Sequence, residues 1–176
     1  EDRMDNLMAT AFASDDWMHG KIAATKEGKI TGLWCHTTAD HGAFDACADP
    51  TKFPAGFMNI CTGSYDIPTA YLAVDGIYTN KAPGGVAYRC SFRVTEAAYF
   101  IERMIEVLAI KLGMDAAELR AKNFIRKDQF PYQSALGWEY DSGDYQTAWD
   151  KALAAVDYAG LRAEQAERLA AFNRGE

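Results

Sequence analysis

The residues best suited to chemistry lie in one short stretch around Cys90. Cys90 stands between Arg89 and Arg93, just before a segment with helical periodicity. A helix N-terminus and neighbouring guanidinium groups both favour thiolate over thiol. A thiolate on a loop can act as a nucleophile or as a ligand for a soft metal ion such as Cu(I). The stretch is therefore a candidate catalytic or metal-binding loop.

The neighbours of Cys90 indicate how such a site could be arranged. Residues 83–85 (Pro-Gly-Gly) would end the preceding strand and let the backbone approach a bulky group. Phe92 could wall a small dry pocket, and Arg89 could hold an anion or an oxo group. Neither glycine pattern of a phosphate-binding loop is present. Taken alone, these residues leave open that Cys90 is a small buried packing residue.

The other three cysteines, Cys35, Cys47 and Cys61, form no C-x-x-C pair. Their spacing argues against structural zinc and against iron–sulfur ligation within this chain. A disulfide framework is not expected in a chain of this length without a secretory signal. We interpret these three as packing residues in a reduced protein.

A second cluster of potential metal ligands surrounds the end of one predicted strand. It contains His36 and His41, with Cys35, Asp40 and Asp45 nearby. Neighbouring side chains on a strand point to opposite faces, so Cys35 and His36 cannot easily bind the same ion. The sequence therefore disfavours a metal site there. We interpret the four tryptophans as core and subunit-interface packing residues: Trp17, Trp34, Trp138 and Trp149.

Composition restricts the class of protein. The chain has 176 residues, of which 49% are hydrophobic, and a net charge of -7. This balance is typical of a globular domain and argues against a nucleic-acid surface, which needs a basic patch. No apolar run reaches the roughly 20 residues of a membrane-spanning helix. The first residue is Glu1 and no signal peptide is evident, so we expect a cytoplasmic protein of which this is an internal segment.

The elements that must position the loop are strands followed by helices. Residues 21–25 and 30–38 predict a hairpin, and residues 69–80 predict a third strand. Between them, residues 41–68 form a Gly- and Pro-containing excursion that is long for a compact domain. The pattern predicts an α+β fold that packs against parts of a larger protein.

Four helices are predicted after the loop. The first covers residues 95–112, and Gly113 ends it. Asp115 would cap a short second helix ending at Lys122 or Asn123. After an irregular loop at 128–143, helices are expected at 144–156 and 161–172, the last with an exposed face that includes Arg162, Glu164, Glu167 and Arg168. The buried stripe of the first helix is predicted to contain Ala98, Ile101, Met104, Ile105, Leu108 and Leu112.

Residues 86–93 (Val-Ala-Tyr-Arg-Cys-Ser-Phe-Arg) resemble the active-site loop of the large subunit of form I aerobic carbon monoxide dehydrogenases. Related molybdenum hydroxylases of the xanthine dehydrogenase and aldehyde oxidase group carry a similar loop with Gly in place of the cysteine. The resemblance extends over almost the whole chain, including the segments 1–6, 39–44, 78–85, 129–132 and 140–145. It implies that residues 1–176 are part of a molybdenum-cofactor-binding domain.

The resemblance also implies a chemistry. The family oxidises CO with water to CO2, two protons and two electrons at a site of copper, bridging sulfide and molybdenum, the last held by molybdopterin cytosine dinucleotide. Cys90 would be the copper ligand, Phe92 would line the CO channel and Arg89 would lie beside the metals. Further loop positions that could meet the cofactor are Gly85, Ser91 and Arg93. The family's glutamine and glutamate near molybdenum fall outside this chain, so the isolated segment is expected to be inactive.

Partners follow from the same resemblance. The electrons must leave molybdenum, and the chain contains no iron–sulfur or flavin motif. The family implies an iron–sulfur small subunit with [2Fe-2S] clusters and an FAD-containing medium subunit, assembled as a dimer of heterotrimers. The expected location is the cytoplasm, with association with the inner face of the cytoplasmic membrane left open. The alternatives are a hydroxylase of aldehydes or N-heterocycles, and a noncatalytic packing module.

Overall fold

A computed structural model describes residues 15–43, 59–81 and 93–175. Three strands come first in this part of the chain: β1 (Asp15–Ala24), β2 (Ile30–Asp40) and β3 (Ala70–Ile77). Helices α1 (Arg93–Leu112) and α2 (Ala116–Asn123) follow. A 3-10 turn (Lys127–Gln129) and a small hairpin of β4 (Tyr132–Gln133) and β5 (Glu139–Tyr140) precede α3 (Tyr145–Ala155) and α4 (Tyr158–Arg174). The predicted α+β class is confirmed.

The predicted hairpin is present and longer than expected. β1 pairs with β2 in antiparallel register from Asp15–Asp40 to Ala24–Ile30. Gly28, with φ of +88°, closes its turn in the left-handed region that favours glycine. The prediction began β1 at residue 21 because residues 15–20 contain two charged residues and a glycine, which are poor strand formers. Pairing with the long β2 outweighs this local preference.

The third strand adds a parallel partner to β2. β3 runs beside β2 from Leu33–Ala70 to Asp40–Ile77, giving the order β1-β2-β3 among the described strands. The predicted strand at 69–80 is therefore correct but shorter. Because parallel strands need a crossover connection, the long excursion between them has a topological cause. Its described end contributes Cys61, Thr62, Tyr65 and Ile67 to the buried interior.

Helix α1 covers one face of the sheet. Ala97, Phe100, Ile101, Ile105 and Leu108 are buried in one cluster with strand residues such as Leu33, Cys35 and Leu72. The prediction that Ala98 belongs to this stripe is wrong, because Ala98 is exposed and Ala97 is buried. At about 100° per residue, position 98 lies one step around the helix from the stripe. Gly113 ends α1 with φ of +63°, as predicted.

Two polar networks attach α2 to this core. The amide of Asn123, fully buried, accepts a hydrogen bond from the backbone N–H of Ile30 and donates to the carbonyl of Gly28, both at 2.8 Å. The Tyr65 hydroxyl donates to Glu102 at 2.7 Å, and Arg120 pairs with the same carboxylate at 2.7 Å. Burial raises the pKa of Tyr65. The helix, the hairpin and the crossover are therefore tied together.

The last two helices lie on the outside. Asp144 caps α3 and Asp115 caps α2, as predicted. α4 begins three residues earlier than predicted because Asp157 caps it by accepting from the N–H of Gly160. Its solvent exposure agrees with the prediction, since residues 161–170 are all exposed. Trp17 is 69% exposed, so it does not pack in the core, and its predicted role in a subunit interface stays a prediction. No helix among the described residues is long and apolar enough to cross a membrane.

We expect the close packing of α1 on β1 to be sensitive to a single methyl group at Gly20. A Cβ there would lie 2.6 Å from Phe100 Cε2 and 2.6 Å from Met104 Sδ. Gly20→Ala should lower the free energy of unfolding by about 1–3 kcal/mol through overpacking. Urea unfolding followed by tryptophan fluorescence measures this loss.

The matched control is Gly32→Ala on the neighbouring strand. Its Cβ would meet nothing closer than 3.8 Å, so the change should stay within about 0.5 kcal/mol. Equal effects of the two substitutions would contradict a tight helix contact at Gly20.

Candidate functional site

The predicted site residues fall on the segment that joins β3 to α1. Residues 82–92 lie outside the described part of the chain, and with them Gly85, Arg89, Cys90, Ser91 and Phe92. Arg93 is the first residue of α1, and its side chain is likewise outside the description. The structure does describe both ends of this segment, which is named the Cys90 loop below. Those ends determine where the loop starts and finishes.

The start of the Cys90 loop is held by the carboxylate of Asp40. Asp40 Oδ1 accepts hydrogen bonds from the Gly42 backbone N–H at 2.7 Å and from the Thr79 hydroxyl at 2.8 Å. Its Oδ2 lies 3.1 Å from Lys81 Nζ, which also pairs with Asp15 at 2.6 Å. These interactions, the Gly42 N–H first, lower the pKa of Asp40. The pKa of Lys81 is raised, chiefly by its hydrogen bond to Asp15.

The backbone reinforces this attachment beyond the ends of the strands. The N–H of His41 donates to Ile77 O at 2.8 Å, that of Thr79 to Gly42 O at 2.9 Å and that of Ala43 to Lys81 O at 3.1 Å. Residues 41–43 and 77–81 therefore run side by side up to the loop. The two segments pack closely at Gly76, because a Cβ there would lie 2.6 Å from Nε2 of the buried His41 ring.

The end of the Cys90 loop is held by the packing of α1 on β1. Ala97 and Phe100, in the first two turns of α1, are buried, and Phe100 lies against Gly20 of β1. The loop thus begins at one edge strand of the sheet and ends on the helix that crosses the other edge strand. Both ends are therefore anchored to the same sheet or to the helix packed on it.

Two partly buried carboxylates lie on β1 and in the first turn of α1. Asp16 lies on the helix-facing side of β1, and Glu96 lies in the first turn of α1. One oxygen of each is shielded from water and receives no hydrogen bond from the described residues. Burial, followed by the charges of Glu96 and Asp15, raises the pKa of Asp16 to about 6. Such a pair is expected to hold a proton more readily than an isolated carboxylate.

Sequence reasoning missed these anchoring residues. The sequence indicates Asp40 only as a potential metal ligand, and it does not single out Asp16, Thr79 or Glu96. A charged residue at an inward position of the strand would have revealed Asp16, had β1 been predicted to begin at Asp15. The grouping of Asp40 with Thr79 and Lys81 has no local signal, because it depends on the parallel register of β2 and β3.

The described residues of the second, disfavoured metal cluster lie apart in the structure. Cys35 is buried on the helix side of the sheet, whereas His36 lies on the opposite face with Nε2 2.7 Å from Asp75 Oδ2. His41 is buried beyond the end of β2, and Asp45 lies outside the described residues. No group of three or more His, Cys, Asp or Glu side chains suited to a metal ion occurs in the described part. The predicted alternation of Cys35 and His36 is confirmed.

The sequence of this chain is similar to known proteins. Residues 1–124 match the family model described as the molybdopterin cofactor-binding domain. The chain is 67% identical over 176 residues to the carbon monoxide dehydrogenase large chain of Afipia carboxidovorans, covering 100% of this chain and 22% of that protein. It is 69% identical over 170 residues to the protein of the same name from Hydrogenophaga pseudoflava, covering 97% of this chain and 21% of that one.

A solved structure has the same fold. Reconstituted CO dehydrogenase from Oligotropha carboxidovorans superposes with a TM-score of 0.91 at 67% identity, covering 100% of this chain and 22% of that chain. The chain therefore spans only about a fifth of the length of the relatives it matches.

The burial of Asp16, with the charge of Glu96 nearby, predicts a pH dependence of stability. The folded-state pKa of Asp16 is raised from 3.8 to about 6, so its stabilising contribution is complete below pH 3.8 and is lost as pH rises through about 6. Asp16→Asn should remove this loss, leaving the variant relatively more stable than the parent at about pH 7. Urea midpoints measured across that range test it.

Asp128→Asn, an exposed carboxylate on the 3-10 turn, serves as the control and should keep the parent profile. A parallel shift of the whole curve in Asp16→Asn, with no change of slope between about pH 4 and 6, would argue against the raised pKa.

Proposed function

This chain belongs to the molybdopterin cofactor-binding domain family, and from that premise we propose that it is an internal segment of the large subunit of a form I aerobic carbon monoxide dehydrogenase. The observation that carries the proposal is identity of 67% over all 176 residues to a protein named as that large chain. The Cys90 loop, with its Arg-Cys-Ser-Phe-Arg sequence, is the part of this similarity that bears on chemistry. The domain would comprise residues 1–176 and continue in chain outside them.

The donor set of the loop fits copper. One thiolate, flanked by Arg89 and Arg93, is a soft ligand of the class that binds Cu(I), zinc and iron–sulfur clusters, and copper is the member of that class that the family resemblance implies. When bound, a copper–molybdenum group would supply the oxidation of CO with water to CO2, two protons and two electrons. Cys90 would hold the copper. The molybdenum would be carried by molybdopterin cytosine dinucleotide, bound largely by chain outside this segment.

The remaining loop residues would shape the site. Phe92 would exclude water and line the path of CO, and Arg89 would stabilise negative charge beside the metals. Gly85 would let the backbone approach the cofactor, while Ser91 and Arg93 would offer polar contacts to it. The protein's part is mainly to position these groups and keep the site dry. The anchors at Asp40 and Gly20 provide that positioning.

The proposal extends to partners and location. An iron–sulfur small subunit and an FAD-containing medium subunit would receive the electrons, in a dimer of heterotrimers. We place the enzyme in the cytoplasm, with association with the inner face of the cytoplasmic membrane as the open alternative. The isolated segment is expected to be inactive and to retain no molybdenum.

The rival functions make different demands on position 90. A hydroxylase of aldehydes or N-heterocycles would carry Gly there, and the Cys speaks against it. A noncatalytic packing module would tolerate a small residue at position 90. Neither rival requires copper.

The decisive experiment is Cys90→Ala in the full three-subunit enzyme, assayed by CO-dependent reduction of an artificial electron acceptor. We expect activity to fall at least about 100-fold, because a direct ligand should matter more than the outer-shell partners whose loss costs 10–100-fold. Metal analysis should show copper lost and molybdenum kept.

Cys47→Ala, which removes a cysteine predicted only to pack, is the control and should keep both copper and activity. A parent enzyme that ignores CO but oxidises an aldehyde or N-heterocycle would favour the hydroxylase. An equally active Cys90→Ala enzyme would eliminate Cys90 as the copper ligand.

A second prediction tests the anchor of the loop. Asp40→Ala removes the acceptor of Gly42 and Thr79 and the partner of Lys81. Displacing the loop by about 1 Å could cost on the order of 100-fold in rate, so we expect at least a tenfold loss of CO oxidation.

Asp75→Ala is the matched control. Asp75 is an aspartate on the adjacent strand that forms a side-chain hydrogen bond with His36, and His36 lies on the face of the sheet away from α1. The variant should leave the rate within about twofold of the parent. Equal losses in the two variants would mean that the effect is general destabilisation.

A further inference from the structure

The face of the sheet turned away from α1 carries aromatic, imidazole and charged side chains. Side chains alternate between the two faces of a strand, so the neighbours of the buried Cys35 and Leu72 point outward. The strand register places these outward residues in three rows: Lys21, Trp34 and Tyr71, then His19, His36 and Ala73, then Trp17, Thr38 and Asp75. This surface is named the outer face below. The described part of the chain leaves all of these residues at least partly exposed.

Contacts among its own side chains hold the outer face in shape. His36 Nε2 lies 2.7 Å from Asp75 Oδ2. The rings of Trp34 and His36 meet edge to face with their centroids 6.2 Å apart, and Lys21 Nζ lies 5.0 Å from the centroid of the Trp34 ring. Side chains that are already ordered lose little freedom when another surface binds to them. The outer face is therefore preorganised for a partner surface.

A shallow cavity of about 500 Å³ lies in the outer face, lined by Trp34, His36, Tyr71 and Ala73. The single methyl group of Ala73 leaves space between the three larger rings. Protein interfaces often place an aromatic or other large anchor side chain in a pocket of this kind. Tyr71 beside the cavity is 58% exposed, and Trp17 on the same face is 69% exposed. Large exposed apolar patches mark interaction sites, so the outer face is suited to being covered.

The charges of the outer face restrict what can cover it. The chain has a net charge of -7, yet this face carries Lys21 and two imidazoles against one carboxylate. That carboxylate, of Asp75, is already bonded to His36. A complementary surface therefore combines an apolar anchor for the cavity with a carboxylate that can reach Lys21.

The length of the relatives indicates where such a surface comes from. The chain spans 22% and 21% of the two carbon monoxide dehydrogenase large chains that it matches, so about four-fifths of such a subunit lies outside residues 1–176. A segment of the same polypeptide meets the outer face at a high effective concentration, whereas a separate subunit must lose its freedom of translation and rotation.

We propose that the outer face binds a segment of the same large subunit outside residues 1–176, which places an apolar side chain in the cavity and a carboxylate beside Lys21. Asp40 follows Thr38 on the same side of β2 and pairs with Lys81 at the start of the Cys90 loop. The bound segment would therefore also shield that start from water. The inference rests on the proposal that this chain is part of such a subunit.

The test replaces Tyr71 by the photoreactive benzoylphenylalanine in the full three-subunit enzyme, followed by irradiation, denaturing gel electrophoresis and peptide mass spectrometry. We expect a cross-link to a large-subunit peptide outside residues 1–176, in a band with the mass of one large subunit. Tyr71→Phe, irradiated in the same way, is the control and should give none. A band with the summed mass of two subunits would overturn the proposal, because the occupant would then be a second copy or another subunit. A cross-link confined to residues 1–176 would also overturn it.

Hydroxyl-radical footprinting of the unmodified enzyme tests the same surface without a cross-linker. Trp17 and Tyr71 should be oxidised several-fold more slowly in the folded enzyme than in enzyme unfolded by denaturant, because the bound segment covers them. Oxidation of both at the unfolded rate would show that the outer face is open to water and would overturn the proposal.

A pair of variants tests the role of the cavity. Ala73→Arg fills the cavity and should reduce the cross-link from position 71 several-fold. Ala23→Arg adds the same charge on the same side of the sheet but outside the cavity lining, and it should leave the cross-link unchanged. Equal cross-linking in the two variants would exclude the cavity as the binding point. An enzyme that gives the expected cross-link but does not oxidise CO would contradict only the proposed function.

Discussion

The close approach of α1 to β1 at Gly20 is the contact on which the arrangement of the Cys90 loop depends. Phe100 and Met104 occupy the space that a side chain at position 20 would need. The helix can therefore lie close to the sheet, and the rest of its apolar stripe reaches the buried face of β2 and β3. Since α1 begins at Arg93, its position also sets the point where the loop ends. One packing contact thus serves both the core and the candidate site.

The other end of the loop depends on electrostatics instead of apolar packing. The Asp40 carboxylate accepts hydrogen bonds from a backbone N–H and a hydroxyl and pairs with an ammonium group. It lies at the point where β2 ends. A carboxylate satisfied by several donors is a more rigid support than a single exposed ion pair. The described ends of the loop therefore have one polar anchor and one apolar anchor. This arrangement suits a site whose protein part is to position ligands and exclude water.

Features that depend only on a few neighbouring residues of the chain were predicted well from the sequence. Asp115, Asp144 and Gly113 are helix-terminal residues whose own side chain or conformation begins or ends the helix. The roles of Asp115 and Gly113 were predicted, and the third helix was predicted to begin at Asp144 or a neighbour. The errors arose where a neighbour in space decides the outcome. β1 extends to Asp15 because β2 pairs with it, and Ala97 replaces Ala98 in the core because the sheet selects which face of α1 it covers.

The sequence by itself determined the residue types of the Cys90 loop, the hairpin, the helices and the α+β class, because each is encoded by neighbours along the chain. Only the tertiary structure decided that β3 runs parallel to β2 and that Asp40 binds Thr79 and Lys81. These contacts join residues separated by 37 to 41 positions in the chain. They depend on strand register and on the path of the crossover, and a one-residue slip in register would turn every side chain of a strand to the opposite face.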